Sequence, residues 1–237
     1  MRTKSAHPRA VQNADPKAPA APPTRVVLVD DHPVVRQGIR AAVGQEPDLE
    51  VAGEAQSAAE ALRVVEECRP DLAVVDLSLK DSSGLDLIKD LRIRHPRLLI
   101  LVLSMRDEAF YAERALRAGA RGYVIKEEGV AVVLEAIRKV LKGQIYLSDR
   151  LASKMIGAYI GGAAPGTTPL ERLTDRELQV FELIGRGLPS REIAERLHLS
   201  VKTIDAHREN LKRKLGIDSA TALLKQAIEW LRSQGQA

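Results

Sequence analysis

The sequence is poor in cysteine, in aromatic residues and in long apolar runs. Its one cysteine, Cys68, cannot close an internal disulfide bond and belongs to no CxxC or Cys/His cluster, which indicates a reducing compartment. Aromatic residues make up 3% of the chain, too few for a surface that binds mainly by stacking. The longest aliphatic run, Leu98 to Leu103, spans six residues, whereas a membrane helix needs roughly 20. We therefore expect a cytoplasmic protein with no membrane partner.

The length and charge of the chain are those of a folded protein with local basic segments. Its 237 residues suffice for one or two domains, and 45% apolar with 29% charged residues is typical of globular chains. Residues 1–24 hold four basic side chains, one acidic side chain and five of the twelve prolines, which predicts a disordered basic tail. Lys202 to Lys214 holds five basic and two acidic residues, a pattern that favours binding to a polyanion.

Residues 25–145 alternate short apolar runs with amphipathic stretches, as strands alternate with helices. The predicted strands are Val26–Asp30, Leu49–Ala55, Leu72–Asp76, Leu98–Ser104 and Gly122–Lys126. The predicted helices are Pro33–Val43, Ala58–Glu67, Leu85–Arg92, Ala109–Ala118 and Val130–Leu141. Because the strands are almost continuously apolar, we expect both of their faces to be buried. The predicted fold class is therefore α/β, with a doubly wound parallel sheet of five strands.

Local signals mark helix starts and a linker. Pro33 suits the first turn of a helix, and Ser57 with Glu60 predicts a capping box, in which each side chain accepts from the other residue's backbone N–H. Residues 146–168 form the predicted linker, with a short helix over Asp149–Tyr159 and a flexible GGAAPGTTP break.

Residues 169–237 carry only helical patterns, which predicts a small all-α domain. The predicted helices are Thr174–Gly185, Ser190–Leu197, Val201–Leu215 and Ser219–Arg232. Thr174 with Glu177 predicts a second capping box. The predicted core residues are Leu178, Val180, Phe181, Ile184, Ile193, Ala194, Leu197, Leu199, Val201, Ile204 and Leu211. Two of these helices, with Ser200 as the N-cap of the second, fit a helix-turn-helix.

Polar side chains end four of the predicted strands. Asp30 and Asp31 follow the first strand, Asp76 the third, Ser104 the fourth and Lys126 the fifth. Each feature alone is common in solvated loops, but the carboxyl ends of parallel strands meet at one edge of a sheet, where ligands bind. Clustered carboxylates repel one another unless a cation lies among them, and Mg²⁺ prefers such oxygen ligands. A carboxylate beside Mg²⁺ can attack a phosphoryl group and become an aspartyl phosphate.

The same residues carry a family resemblance. VDDHPVVRQG, VVDLSLKDSSGLDLI, LVLS and ARGYVIK resemble the motifs of the receiver domain of bacterial two-component response regulators, a flavodoxin-like fold. The resemblance implies that Asp76 accepts a phosphoryl group from a sensor histidine kinase. It also implies that Asp30, Asp31, Asp76 and the backbone carbonyl of Ser78 hold Mg²⁺.

The resemblance assigns three more residues and shows one departure. It implies that Lys126 and Ser104 bind the phosphoryl group and that Tyr123 is an aromatic switch residue. From physical principles alone, Tyr123 is equally explained as a half-buried tyrosine beside the fifth strand. Lys80 stands where the family usually has proline, whereas Gly84 is retained.

The second helix of the predicted helix-turn-helix has a dense polar surface. Its side chains are Lys202, Thr203, His207, Arg208, Lys212 and Arg213, with Asp205 and Glu209 on the same side. A polar helix face alone is usually solvated surface, but a tight turn before a basic helix favours DNA binding. The two acidic residues limit the number of phosphates that this face can neutralise.

This helical segment also resembles a known family. LTDRE, GLPSREIAERL and LSVKTIDAHRENLKRKLG are similar to the LuxR-type helix-turn-helix of NarL/FixJ response regulators. The resemblance implies a helix-turn-helix over Ser190–Glu209, a recognition helix over Val201–Leu215, and DNA and RNA polymerase as partners. The apolar Ser219–Arg232 helix is a candidate surface for a homodimer that forms on phosphorylation.

Three hypotheses follow for the whole chain. The first is a transcription factor that a receiver aspartate switches by phosphorylation, with no enzymatic activity beyond self-phosphorylation and self-dephosphorylation. The second is a Mg²⁺-dependent phosphatase with an aspartyl-phosphate intermediate, which the absence of a cap or substrate-pocket insertion disfavours. The third is a DNA-binding regulator that is never phosphorylated, which the complete acidic set disfavours.

Overall fold

The computed structural model describes residues 22–79, 83–106, 108–160 and 168–233. Strands and helices alternate in the order that the sequence predicts. The strands are β1 (Thr24–Val29), β2 (Leu49–Ala55), β3 (Leu72–Val75), β4 (Leu99–Ser104) and β5 (Gly122–Ile125). The helices of this α/β domain are α1 (Pro33–Val43), α2 (Ala58–Cys68), α3 (Gly84–Arg94), α4 (Glu108–Ala118) and α5 (Val130–Leu141). A single 3-10 turn, Lys126–Glu128, follows β5.

The five strands form one parallel sheet in the order β2-β1-β3-β4-β5. Alternate side chains of β1 enter two different cores. Val26 and Leu28 pack in the core that α1 and α5 cover, and Val27 and Val29 pack in the core that α2, α3 and α4 cover. Helices therefore cover both faces of the sheet, as the continuous apolar strands predict. The strand order reverses at β1 and β3, which places a crevice at their carboxyl ends.

A helical domain follows α6 (Asp149–Ile160). It contains α7 (Asp175–Gly185), α8 (Ser190–Arg196), α9 (Val201–Leu215) and α10 (Ala220–Ser233). The capping box at the start of α7 is confirmed, because the Thr174 and Glu177 side chains each accept a hydrogen bond from the other residue's backbone N–H. A short turn joins α8 to α9, and the Ser200 side chain caps α9 by accepting from the Thr203 N–H. The two helices thus have the predicted helix-turn-helix arrangement.

The helical domain packs against α4 and α3 of the α/β domain through α10 and α7. The ring of Trp230 on α10 meets the ring of Phe110 on α4 edge to face, with centroids 5.9 Å apart. At the start of α7, Asp175 pairs with Lys89 Nζ at 2.7 Å and with Arg114 Nη1 at 2.9 Å. The apolar core on one face of the sheet continues into the helical domain. The two domains therefore share a buried boundary in this structure.

One local prediction is confirmed only in part, and another is wrong. Ser57 accepts a hydrogen bond from the Glu60 N–H, but the Glu60 carboxylate accepts from the Gln56 N–H, so the predicted box is only half formed. The Glu60 carboxylate accepts its hydrogen bond, of 2.9 Å, from the Gln56 N–H and not from the Ser57 N–H that a complete box requires. Val201, predicted in the core, is 44% exposed because the first turn of α9 turns this residue towards solvent.

Some predictions lie outside the described residues. These are the tail over residues 1–21, the linker segment 161–167 and the loop position Lys80. Among the described helices, none combines the length and the apolar character that crossing a membrane requires.

Candidate acidic site and nucleic-acid interface

Three of the predicted charged residues meet at the carboxyl end of the sheet. Asp30 follows β1, Asp76 follows the neighbouring β3, and Lys126 follows β5 at the sheet edge. Lys126 Nζ lies 2.7 Å from Asp76 Oδ2 and 2.7 Å from Asp30 Oδ2. Asp76 is 1% exposed and Asp30 is 4% exposed. The ammonium therefore bridges two buried carboxylates, as the convergence of strand ends predicts.

Asp31 and His32 complete the acidic cluster. Asp31 is buried, and His32 Nδ1 lies 2.8 Å from Asp31 Oδ1. One donor atom from each of Asp30, Asp31, His32 and Asp76 lies within 4.8 Å of the others. Sequence reasoning missed His32, although its position directly after the acidic pair was the available signal.

The backbone around Asp76 is closely packed. Asp76 Oδ1 accepts a hydrogen bond of 3.0 Å from the Ser78 N–H. A Cβ atom on Gly84 would lie 2.5 Å from the Asp76 carbonyl oxygen and 2.5 Å from Leu77 Cα, so only glycine fits there without a shift. Burial raises the pKa of the Asp76 carboxyl, while the Lys126 ammonium and the Ser78 N–H oppose that rise. The site thus holds Asp76 in place and keeps it away from water.

The donor set fits a hard divalent cation. Three buried carboxylates, those of Asp30, Asp31 and Asp76, lie together here, and Lys126 Nζ contacts two of them. Asp30 Oδ2 is buried and accepts no well-directed hydrogen bond, although Lys126 Nζ is 2.7 Å away. Carboxylate oxygens of this kind are the ligands that Mg²⁺ prefers. The residues present therefore suit the predicted metal.

Ser104 and Tyr123 are buried beside this site. Ser104 is fully buried at the end of β4, and its Oγ accepts a 3.2 Å hydrogen bond from the Arg106 N–H. Tyr123 is 1% exposed, and its hydroxyl donates a 2.8 Å hydrogen bond to the Arg106 carbonyl oxygen. The predicted phosphoryl-binding serine and the predicted switch tyrosine thus both contact Arg106, a residue that no sequence motif had singled out.

The exposed face of α9 mixes both signs of charge. Lys202, Asp205, Glu209 and Arg213 are exposed, and helical spacing places them along one line. Thr203, His207, Arg208 and Lys212 are half-buried at the flanks of that line. The central line therefore carries two cations and two anions and has no net charge of its own.

One residue of the predicted basic segment is structural. Lys214 Nζ lies 2.6 Å from Glu177 Oε2 and 3.4 Å from the Arg172 carbonyl oxygen, so it faces α7 instead of solvent. Glu177 is 4% exposed. Burial by itself would raise the pKa of Glu177, but Lys214 and the Thr174 N–H and hydroxyl hold it below its usual range. This ion pair joins α9 to the start of α7 and removes one cation from the candidate DNA face.

Comparison with known proteins identifies the family. Residues 26–138 match the family model described as the response regulator receiver domain, and residues 171–227 match the model described as bacterial regulatory proteins of the luxR family. The chain is 40% identical, over 212 residues, to the DNA-binding transcriptional activator DevR/DosR of Mycobacterium tuberculosis, covering 89% of this chain and 96% of that protein. The chain belongs to the NarL/FixJ family of response regulators.

Further relatives and solved structures agree with this response-regulator assignment. The oxygen regulatory protein NreC of Staphylococcus aureus is 35% identical over 86% of this chain and 97% of its own length. A structure of RcsB from Salmonella typhimurium superposes with a TM-score of 0.69 at 28% identity, covering 87% of this chain and 98% of that one. RcsB bound to the promoter rprA with phosphomimetic BeF3⁻ gives a TM-score of 0.65 at 26% identity, covering 86% of this chain and 98% of that one. The response regulator thus combines a receiver domain with a LuxR-type DNA-binding domain.

Proposed function

We propose that this response regulator is switched by transfer of a phosphoryl group to Asp76. The observation that carries the proposal is the bridging position of Lys126, 2.7 Å from both Asp76 Oδ2 and Asp30 Oδ2. The ammonium is therefore placed to contact a phosphoryl oxygen next to the attacked carboxylate. The cognate donor is a sensor histidine kinase.

The side chains suggest a role for each atom in the transfer. An Asp76 carboxylate oxygen attacks the phosphorus of a phosphohistidine, the P–N bond breaks, and its electron pair returns to the imidazole nitrogen. Lys126 and the buried Ser104 hydroxyl bind the phosphoryl oxygens, and Tyr123 responds as the switch aromatic. The product is an acyl phosphate on Asp76 and a free histidine on the kinase.

We assign the Mg²⁺ site to Asp30, Asp31, Asp76 and the backbone carbonyl of Ser78. When bound, the ion neutralises the carboxylates and the incoming phosphoryl oxygens. Asp30 and Asp31 are buried next to Asp76, so they would hold the ion without rearrangement of the sheet. Lys126 then keeps one cationic contact to Asp76 that does not depend on the metal.

We further propose that α9 binds a two-fold symmetric DNA site as part of a phosphorylated homodimer. The contacting residues are Lys202, Thr203, Asp205, His207, Arg208, Glu209, Lys212 and Arg213. A single small domain makes few phosphate contacts, so two copies on half-sites about 10 base pairs apart bind more tightly. The proposed boundaries are a tail to residue 24, the receiver over 25–145, a linker over 146–168 and the DNA-binding domain from 169. This output involves RNA polymerase and takes place in the cytoplasm.

The experiment is treatment with acetyl phosphate and Mg²⁺, followed by intact-mass and peptide mass spectrometry. One phosphoryl group should appear on Asp76, chelation of the metal should prevent it, and Asp76→Asn should not be modified. The Asp76→Asn variant should also lose the increase in DNA affinity that phosphorylation gives. A stable adduct on serine or histidine, with Asp76 unmodified, would overturn the assignment.

The same samples test the two other hypotheses. A phosphatase would turn over a small phosphate ester repeatedly, and Asp76→Asn would abolish that turnover. A phosphorylation-independent regulator would bind its DNA site equally well before and after modification.

A further inference from the structure

Arg106 lies between the parts of the proposed switch. It follows Ser104 by two residues, and its backbone N–H donates to Ser104 Oγ at 3.2 Å while its carbonyl oxygen accepts from the Tyr123 hydroxyl at 2.8 Å. Its Nε donates to Ser78 Oγ at 3.0 Å, and the Ser78 N–H in turn donates to Asp76 Oδ1. In this chain of hydrogen bonds, Ser78 is therefore the one residue between the Arg106 guanidinium and the Asp76 carboxylate.

The other side of the same guanidinium reaches the DNA-binding domain. Arg106 Nη1 pairs with Glu182 Oε1 on α7 and donates a 2.6 Å hydrogen bond to the Tyr111 hydroxyl. Glu182 is 3% exposed. Burial raises the pKa of this carboxyl, and the charge of Arg106 opposes the rise. The position of Glu182 in the domain boundary thus depends on the cation that the receiver supplies.

A second group of charged contacts across this boundary has no such connection. Asp175 pairs with Lys89 on α3 and Arg114 on α4. Neither of these helices carries a residue of the acidic cluster, and Asp175 is more exposed than Glu182. Among the described residues, the boundary therefore has the Arg106–Glu182 pair, which is tied to the phosphoacceptor loop, and the two pairs of Asp175, which are independent of it.

We propose that Arg106 is a positioning residue for which the phosphoryl group on Asp76 and Glu182 on α7 compete. The proposal rests on the proposed phosphorylation of Asp76. An aspartyl phosphate presents oxygen acceptors of high charge, which attract guanidinium groups strongly. A cavity of about 90 Å³, lined by Ser78, Arg106 and Glu182 among others, gives the side chain room to move.

The consequence of this competition is separation of the two domains. When Arg106 turns to the phosphoryl group, Glu182 loses its paired cation and keeps only the more distant attraction of Arg186. A buried carboxylate with so little compensation is unfavourable. The carboxylate can regain hydration only if α7 leaves the receiver. Phosphorylation then shifts the population by removing a contact that only the associated state makes.

A tryptophan at the domain boundary can report the separation of the two domains. Trp230 is its one tryptophan, is 6% exposed, and lies against Phe110 of the receiver. Separation of the domains removes Phe110 and exposes one side of the indole. Quenching of tryptophan fluorescence by acrylamide therefore measures separation in the full chain, before and after treatment with acetyl phosphate and Mg²⁺.

Variants distinguish a boundary that responds to phosphorylation through Arg106 from a boundary that is merely weakened. In the wild-type chain, phosphorylation should raise the quenching constant about twofold. Glu182→Gln and Arg106→Ala should show a raised constant before modification, and phosphorylation should then add less than half of the wild-type increment. The matched control Asp175→Asn also loosens the boundary, but it should keep the full increment because its partners do not contact the phosphoacceptor loop.

The outcomes separate this inference from the proposed function. Intact mass gives the modified fraction in every sample and peptide mass spectrometry gives the modified residue, so the absence of an adduct on Asp76 contradicts the proposed function itself. Complete modification with unchanged quenching, or an equal increment in Glu182→Gln and wild type, overturns the competition. The reversed pair Arg106→Glu with Glu182→Arg is the second variant. Before modification, this double variant should show a quenching constant as low as that of wild type, but phosphorylation should not raise it. A full wild-type increase of the quenching constant in the double variant would also refute the role of Arg106.

Discussion

The acidic site and the exposed face of α9 use charge in opposite ways. Asp76 and Lys126 are almost fully buried and fixed 2.7 Å apart, whereas Lys202 and Asp205 on α9 project into solvent. Chemistry on a phosphoryl group requires charges that are already oriented and shielded from water. Binding to the DNA backbone requires cations that reach phosphates and release their counter-ions, which solvated side chains do without prior burial. The acidic site therefore depends on charges that folding has buried and oriented, whereas the exposed face of α9 does not.

The largest expected effect tests that contrast directly. Lys126→Ala leaves buried carboxylates without their cation, so we expect it to lower the free energy of unfolding by about 3–5 kcal/mol in the absence of divalent cations. Lys202→Ala removes an exposed cation and should change it by less than about 0.5 kcal/mol. Urea unfolding followed by circular dichroism measures both. Equal effects in the two variants would show that burial does not distinguish the regions.

The next effect concerns the backbone under the acidic site. Gly84→Ala forces a Cβ atom against the backbone of Asp76 and Leu77, and we expect it to destabilise the receiver by about 1–3 kcal/mol. It should also slow modification of Asp76 by acetyl phosphate. Gly38→Ala is the control, because Gly38 is exposed on α1 with nothing within 4 Å of an added Cβ. That change should raise the free energy of unfolding by about 0.5–1 kcal/mol. A lower free energy of unfolding for Gly38→Ala would contradict this description of the packing.

Glu177 is a buried charge in the DNA-binding domain, so it tests whether burial matters there as it does at the acidic site. Glu177→Gln removes the charge that pairs with Lys214 but keeps an oxygen that can accept from the Thr174 N–H. We expect a loss of about 1–2 kcal/mol in the free energy of unfolding at neutral pH. Because folding lowers the pKa of Glu177, its contribution is present above the ordinary glutamate value of about 4.3 and fades as the pH falls through the lower folded value. The difference between variant and wild type should therefore shrink in acid. Unfolding curves at pH 7 and below pH 4 measure it, and a constant difference would contradict the shift.

The smallest expected effect lies on the exposed face itself. Lys202→Ala should weaken DNA binding about fivefold and reduce the slope of log K against log salt by about one unit. Asp205→Asn should strengthen binding by a similar or smaller factor, because it removes a repulsive charge from the same line. Fluorescence anisotropy at several salt concentrations gives both values. Arg63→Ala, on α2 of the receiver, is the matched control and should bind like wild type.

Much of the fold could be predicted because its signals are local. The bounds of β2, α1, α5 and α9 agree residue for residue with the expectation, since apolar periodicity and caps act within a few residues. The contacts of Arg106 and Lys214 could not be predicted. Their partners Glu182 and Glu177 lie 76 and 37 residues away in sequence, and nothing local selects those pairs.

The sequence by itself determined the chemistry of this protein, because parallel strands bring their carboxyl ends together and carry Asp30, Asp76 and Lys126 to one edge. The helical spacing of α9 likewise determined which residues share a polar surface. Only the tertiary structure decided which of those charges are available. Docking of α7 buries Glu182 against Arg106, and packing of α9 turns Lys214 inwards, because side-chain partners depend on how whole elements are placed in space.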